Sequence, residues 1–139
     1  MNLLLKRVLV AGIALTLLSA CAEVLQRQEA REVHDREQYL RYAGPPIEQY
    51  TSLIANYRRW SLIGDDQVVV WTDYEHAYVL KVQLPCPELR FADALGVTSS
   101  SHTVTRGFDS VQVAHQLCRI TEIRPVDYAR MKQDLHTAS

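Results

Sequence analysis

Residues 67–84 read Gln67-Val68-Val69-Val70-Trp71-Thr72-Asp73-Tyr74-Glu75-His76-Ala77-Tyr78-Val79-Leu80-Lys81-Val82-Gln83-Leu84. Two patterns meet in this stretch. Residues 68–71 form an unbroken β-branched and aromatic run, the composition of a strand buried on both faces. From residue 78 the apolar positions alternate. Tyr78, Leu80, Val82 and Leu84 fall on one side, and Val79, Lys81 and Gln83 on the other, so this strand is expected to turn one face inward. The polar residues 73–76 between the two runs suit a hairpin loop. Upstream, residues 58–63 alternate with Trp60 and Leu62 on one side, and Gly64-Asp65-Asp66 signals a turn. Three strands joined by short turns make a meander.

Further from that centre the signals are shorter. Residues 47–56 are expected to include a short helix. Residues 87–94 read as one or two helical turns, with Pro87 early, Glu88 near the start and Leu89, Phe91 and Ala92 as apolar contacts. Residues 96–98 and 103–106 flank Ser99-Ser100-Ser101 as short strands, and residues 109–113 continue the extended pattern through Val111 and Val113. Residues 117–123 form the last strand, with Cys118 and Ile120 on one face and Pro125 ending it. Residues 126–135 place Tyr128, Met131 and Leu135 at helical spacing, with Asp127 in the first turn, which predicts a short C-terminal helix. The expected fold class is mainly β, a β-rich α+β domain. Its core is a small antiparallel sheet or barrel of about six strands, OB-like in order, with an N-terminal helix and a short C-terminal helix.

The N-terminal residues have a different composition. Residues 1–7 carry Lys6 and Arg7, and residues 8–18 are an apolar run broken only by Gly12 and Thr16. No unbroken apolar stretch reaches the length of a bilayer span, so no transmembrane helix is expected. A charged start, a short apolar middle and small residues before a cut describe a secretory signal peptide. The ending Leu18-Ser19-Ala20-Cys21 resembles the lipobox of bacterial lipoproteins. That resemblance implies cleavage just before Cys21, a diacylglycerol on its thiol and an acyl chain on its new amine. Two or more chains make a stable anchor where one is marginal, at about 0.8 kcal/mol per buried CH₂. In that family Ala22, rather than an aspartate, after the cysteine implies the outer membrane, with the domain facing the periplasm. The organisation expected is residues 1–20 signal peptide, 21–45 lipidated N-terminus and spacer, and 46–139 compact β-rich domain. The spacer lacks Gly and Pro over residues 22–42 and carries opposite charges four apart, such as Glu23/Arg27 and Glu37/Arg41. It reads either as a solvated helix or as a flexible tether.

With Cys21 lipidated, Cys86 and Cys118 remain, and an even remainder in an oxidising compartment points to a disulfide. It would close a loop of about 33 residues, and the chain-entropy relation then gives about 3.7 kcal/mol. His115, three residues before Cys118, and nearby Asp109 leave a Cys–His nucleophile as the alternative reading. Trp60, Tyr78-Val79-Leu80, Pro85-Cys86-Pro87-Glu88-Leu89-Arg90, Gly107-Phe108-Asp109 and Cys118-Arg119-Ile120 carry a second resemblance. Over residues 57–128 the chain is similar to a family of small exported bacterial proteins of unknown function. That resemblance implies export and a shared β-rich fold, and brings no activity.

The 139 residues are 47% hydrophobic and 22% charged, with a formal net charge of −1. Loss of residues 1–20 removes Lys6 and Arg7, so 13 basic residues remain against 16 acidic ones, a formal charge of −3. Neither value supplies the basic field that holds nucleic acid, and no nucleic-acid partner is expected. His34, His76, His102, His115 and His136 show no zinc spacing, and no phosphate-loop or nucleophile-elbow motif occurs. No catalytic residue, metal ligand or cofactor is assigned from the sequence. Ser99-Ser100-Ser101-His102 reads as a polar loop, Asp65-Asp66 as a turn pair, and Asp109 as an acceptor for buried backbone or for Arg90 or Arg119. Tyr74 is the expected contact surface, with Trp71 and Tyr78 as groove neighbours. Two functions fit these features: a non-enzymatic envelope lipoprotein working as an interaction or accessory module, or a periplasmic small-ligand binder or hydrolase. The expected partners are the membrane, through the lipid on Cys21, and an envelope protein.

Overall fold

The computed structural model describes residues 2–52 and 57–139. One helix, α1 (Asn2–Arg41), opens the chain. It contains no proline, and Gly12 is its one glycine, so its backbone ladder is uninterrupted over 40 residues. Then come strands β1 (Gln49–Thr51), β2 (Arg59–Leu62), β3 (Gln67–Trp71) and β4 (Ala77–Val82), and a 3₁₀ turn at Pro87–Phe91. Strands β5 (Gly96–Val97), β6 (Thr103–Thr105), β7 (Ser110–Val113) and β8 (Gln116–Val126) follow, and helix α2 (Tyr128–Thr137) closes the chain.

The chain divides into two units, Met1–His34 and Asp35–Ser139. The first is helical. It holds an 18-residue stretch of mean hydropathy 2.2, long and apolar enough to cross a membrane by length and composition. A signal sequence near the N-terminus has the same length and composition. Gly12, Thr16 and Ser19 interrupt the run without adding charge, so the stretch stays apolar on average. The second unit includes the end of α1, which packs within it: Tyr39 meets Trp71 edge-on at 5.7 Å. After the helix, Gly44 N–H donates to the Pro125 carbonyl and Ile47 N–H to that of Ile123.

Within the second unit the main sheet runs β2-β3-β4-β8-β7-β5, antiparallel throughout. It is curled into a half-barrel. The sheet stays open, with β2 and β5 at its edges. A separate ribbon pairs β1 with β6. The short helix expected over residues 47–56 is corrected for the part described. Ile47 bridges to Ile123 and residues 49–51 form β1, because their partners across the fold give the backbone a ladder. Residues 53–56, where the rest of that expectation falls, lie outside the described residues.

Both faces of the sheet are buried. Val68, Val70, Leu80, Val82, Val111, Cys118, Ile120 and Ile123 fill one core with Leu89, Leu95 and Tyr50. Ile63, Val69, Trp71, Ala77 and Val79 fill the other, closed by Met131 of α2 and by Tyr39, Tyr42 and Tyr128. Val79 therefore does not share a solvent face with Lys81, as simple alternation suggested; α2 and the end of α1 cover it. Ile120 and Ile123 are three residues apart, yet both are buried in the same core. The register shift between Lys81 and Val82 explains this, since Lys81 pairs Glu122 while Val82 pairs Ile120. Thr121 is the extra residue, and its hydroxyl donates to the Lys81 carbonyl.

Strand β8 also runs through Pro125, which does not end it. The Pro125 carbonyl accepts from Gly44, away from β4. The amide nitrogen of a strand residue points to the same side as its carbonyl, so the missing N–H costs the β4 ladder nothing. Two apolar residues expected in contact are exposed instead: Leu84 lies past the end of β4, and Phe91 lies on a 3₁₀ turn that buries only Leu89.

Candidate functional site

Cys21 lies exposed on α1 with a free thiol. Cys86 and Cys118 are joined by a disulfide between the loop after β4 and strand β8, with Cα atoms 6.0 Å apart. Cys118 is therefore not a thiol beside His115. Ser101 and His102 take left-handed backbone angles and make the tight turn before β6, so the serines and imidazole serve a turn. Asp65 receives Arg90 at 2.8 Å. Asp109 is buried and accepts from the Thr98 hydroxyl and the Thr105 N–H, both at 2.8 Å, with neither Arg90 nor Arg119 as partner. Among the described residues no three His, Cys, Asp or Glu side chains come together as a metal site.

Tyr74, Trp71 and Tyr78 part company. Tyr78 stacks on Tyr50 at 4.4 Å on the first core's face. Trp71 belongs to the opposite face and is buried beneath Tyr39 and Tyr128. Tyr74 projects from the β3–β4 loop at 77% exposure. That loop is fixed by Asp73, whose carboxylate accepts from the backbone N–H groups of Glu75 and His76 and from the His76 ring. These bonds, led by the Glu75 amide, hold the Asp73 pKa below its ordinary value.

Trp71 and Tyr74 do share one feature, a cleft of about 410 Å³ lined also by Arg58, Arg59, Asp73, Tyr128 and Lys132. Three elements build it. Arg59 is directly opposite Trp71 in the β2–β3 pairing, and its guanidinium lies 4.1 Å from the indole centroid. Arg58, one residue earlier, places its guanidinium 4.8 Å from the Tyr74 ring. On α2, Lys132 sits four residues after Tyr128, one helical turn on, with its ammonium 4.9 Å from that ring. Arg59 Nη2 donates to the Tyr128 hydroxyl at 3.2 Å, joining strand to helix. Among the described residues no carboxylate pairs with any of the three cations. The buried indole N–H of Trp71 finds no acceptor among them either.

A larger hollow of about 700 Å³ lies near Tyr42 and is balanced in charge. Arg41 and Arg130 share it with Asp127 and Asp134. The Tyr42 hydroxyl donates to Asp134 at 2.6 Å, and that bond raises the phenol's pKa. The basic, aromatic cleft is the site with uncompensated chemistry. Of its residues, sequence reasoning singled out Trp71 and Tyr74. Arg58, Arg59, Tyr128 and Lys132 were missed. The adjacent arginines before Trp60 were visible as a signal, but nothing local says that α2 folds against the strand they occupy.

Comparison with known proteins gives a family and no function. No curated protein and no solved structure matches the chain. The model of a family of unknown function (DUF6491) matches residues 4–139. The chain therefore belongs to this family of unknown function.

Proposed function

We propose that the protein is lipid-anchored through Cys21 to the bacterial outer membrane, with the Asp35–Ser139 unit in the periplasm, and that it works there by contact with an envelope protein rather than by turnover. The observation that carries the reading is Leu18-Ser19-Ala20-Cys21 directly after a charged start and an apolar run. The exposure of Cys21 and the Cys86–Cys118 disulfide fit it, since disulfides persist in oxidising compartments. Tyr74 on its fixed loop is the contact residue, because a large exposed aromatic ring offers binding area at little entropic cost.

Metabolic labelling with a fatty-acid probe tests the anchor. The wild-type chain takes up label and Cys21→Ser takes up none. Equal labelling of both chains overturns the lipid assignment. So does a wild-type chain that stays unlabelled and membrane-bound with residues 1–20 attached, which makes the apolar helix itself the anchor. A photo-crosslinking residue in place of Tyr74 tests the contact. A discrete protein adduct in cells supports it, and adducts no different from those of the same residue placed at Glu88 overturn it.

A further inference from the structure

We propose that the cleft framed by Arg58, Arg59, Tyr74, Tyr128 and Lys132 is a binding site for a small soluble ligand carrying an oxyanion, a phosphate monoester or a carboxylate. The site does not depend on the anchor at Cys21 or on a protein partner at Tyr74.

Charge is the first argument. Three cations, Arg58 just before β2, Arg59 on β2 and Lys132 on α2, converge on one cleft in a chain whose formal net charge is −1. Its one carboxylate, Asp73, is engaged by Glu75 and His76. With three cations against one carboxylate the cleft keeps a positive excess, and an anion in it relieves the repulsion among the cations. Arg58 and Arg59 are exposed, so their donors are open to a ligand.

Preorganisation is the second. Each cation is held over an aromatic ring. A guanidinium held over a ring keeps N–H donors for a ligand, and its fork matches the two oxygens of a carboxylate or phosphate. The bond from Arg59 to Tyr128 uses one Nη2 donor and fixes the orientation of the others. Side chains already ordered lose less entropy when a ligand arrives.

Size completes the case. A volume of about 410 Å³ lies within the range of small-molecule pockets, roughly 300–1,000 Å³. Trp71 lines the cleft beneath the Arg59 guanidinium, so its indole reports on what binds there.

The test reads the two indole N–H signals of the ¹⁵N-labelled full chain in a neutral detergent, assigned with Trp60→Phe. Phenyl phosphate, inorganic phosphate, benzoate and the uncharged benzyl alcohol are titrated separately. Phosphatidylglycerol in phosphatidylcholine vesicles forms a further arm. A saturable shift of the Trp71 signal with the soluble oxyanions, weakened by salt and absent with benzyl alcohol, is expected. Arg59→Met weakens it by at least about tenfold, the effect of losing a principal anchor. Arg58→Gln and Lys132→Gln each weaken it by roughly threefold to tenfold. Arg90→Gln, whose partner is Asp65, leaves it unchanged. If Arg59→Met fails to fold, Arg58→Gln/Lys132→Gln decides. The proposal is overturned by no saturable shift with any soluble oxyanion, by an equal shift in that double variant, or by a shift with the anionic vesicles alone. None of these results bears on crosslinking at Tyr74, so the two proposals fail separately.

Discussion

Asp109 is a buried carboxylate whose role the geometry settles. Its two oxygens take the Thr98 hydroxyl and the Thr105 N–H, and Thr98 in turn accepts from the Ser110 N–H. Its own backbone N–H donates to the Thr105 carbonyl and its carbonyl accepts from Ile120. One residue thus ties the ends of β5, β6 and β7 to β8. The arginines that the sequence offered as partners are used elsewhere, Arg90 on Asp65 and Arg119 on the Gly107 carbonyl. Asp109→Ala leaves two part-buried donors without their acceptor and is expected to cost about 1–3 kcal/mol of stability. Asp109→Asn keeps an acceptor oxygen and is expected to cost about half as much. Denaturant midpoints of the two variants check this. A loss for Asp109→Ala below about 0.5 kcal/mol, the size of an ordinary surface change, would show that these bonds hold nothing together.

Val79 shows how an element's position overrides its pattern. Read alone, β4 alternates, and Val79 belongs with Lys81 on the wet side. In the fold Val79 is 1% exposed, packed in the core that α2 closes. Val79→Lys is therefore expected to lower stability by more than about 3 kcal/mol, since it buries an unpaired charge. Lys81→Val, two residues on at an exposed position, is expected to stay within about 0.5 kcal/mol. Equal, small losses in thermal unfolding would mean that the second face is not a core. The same contrast explains what the sequence made legible. Val68-Val69-Val70-Trp71 declared burial on both faces, Asp127 announced α2, whose Arg130 N–H it caps, and the meander followed from its turns. Strand β1 was hidden because Gln49-Tyr50-Thr51 is too short for a period, and its partner β6 is 52 residues or more away. The run through Pro125 was hidden because a proline's cost depends on which edge its nitrogen faces. At the cleft, Trp71 and Tyr74 were visible as aromatics near a loop. Lys132 and Tyr128 join them through tertiary packing, which no local pattern encodes.

Across the Asp35–Ser139 unit, the disulfide adds a covalent link beside the β4–β8 ladder, where Gln83 N–H already donates to the Arg119 carbonyl. Cys86 follows the meander and starts the 3₁₀ turn, and Cys118 lies on the strand that pairs with both β4 and β7. Both are buried in the larger core, beside Leu89 and Ile120. A unit of this size buries roughly 60–65% of the surface its unfolded chain exposes, which leaves a thin margin of stability. Closing 32 residues of sequence separation restricts the unfolded ensemble and contributes about 3.7 kcal/mol on the chain-entropy relation. The Cys86→Ala/Cys118→Ala double variant, which buries no new polar group, is therefore expected to lose about 2–4 kcal/mol. Denaturation of the wild-type chain after reduction should give nearly the same loss, because the two experiments remove the same constraint. Agreement between them assigns the loss to the link itself. A double variant as stable as the oxidised chain would mean that core packing around Leu89 and Ile120 suffices, and that the pair does not staple the sheet. A loss for the double variant well above that on reduction would instead show that the two sulfur atoms also stabilise the core by packing beside Leu89 and Ile120, beyond the link between them.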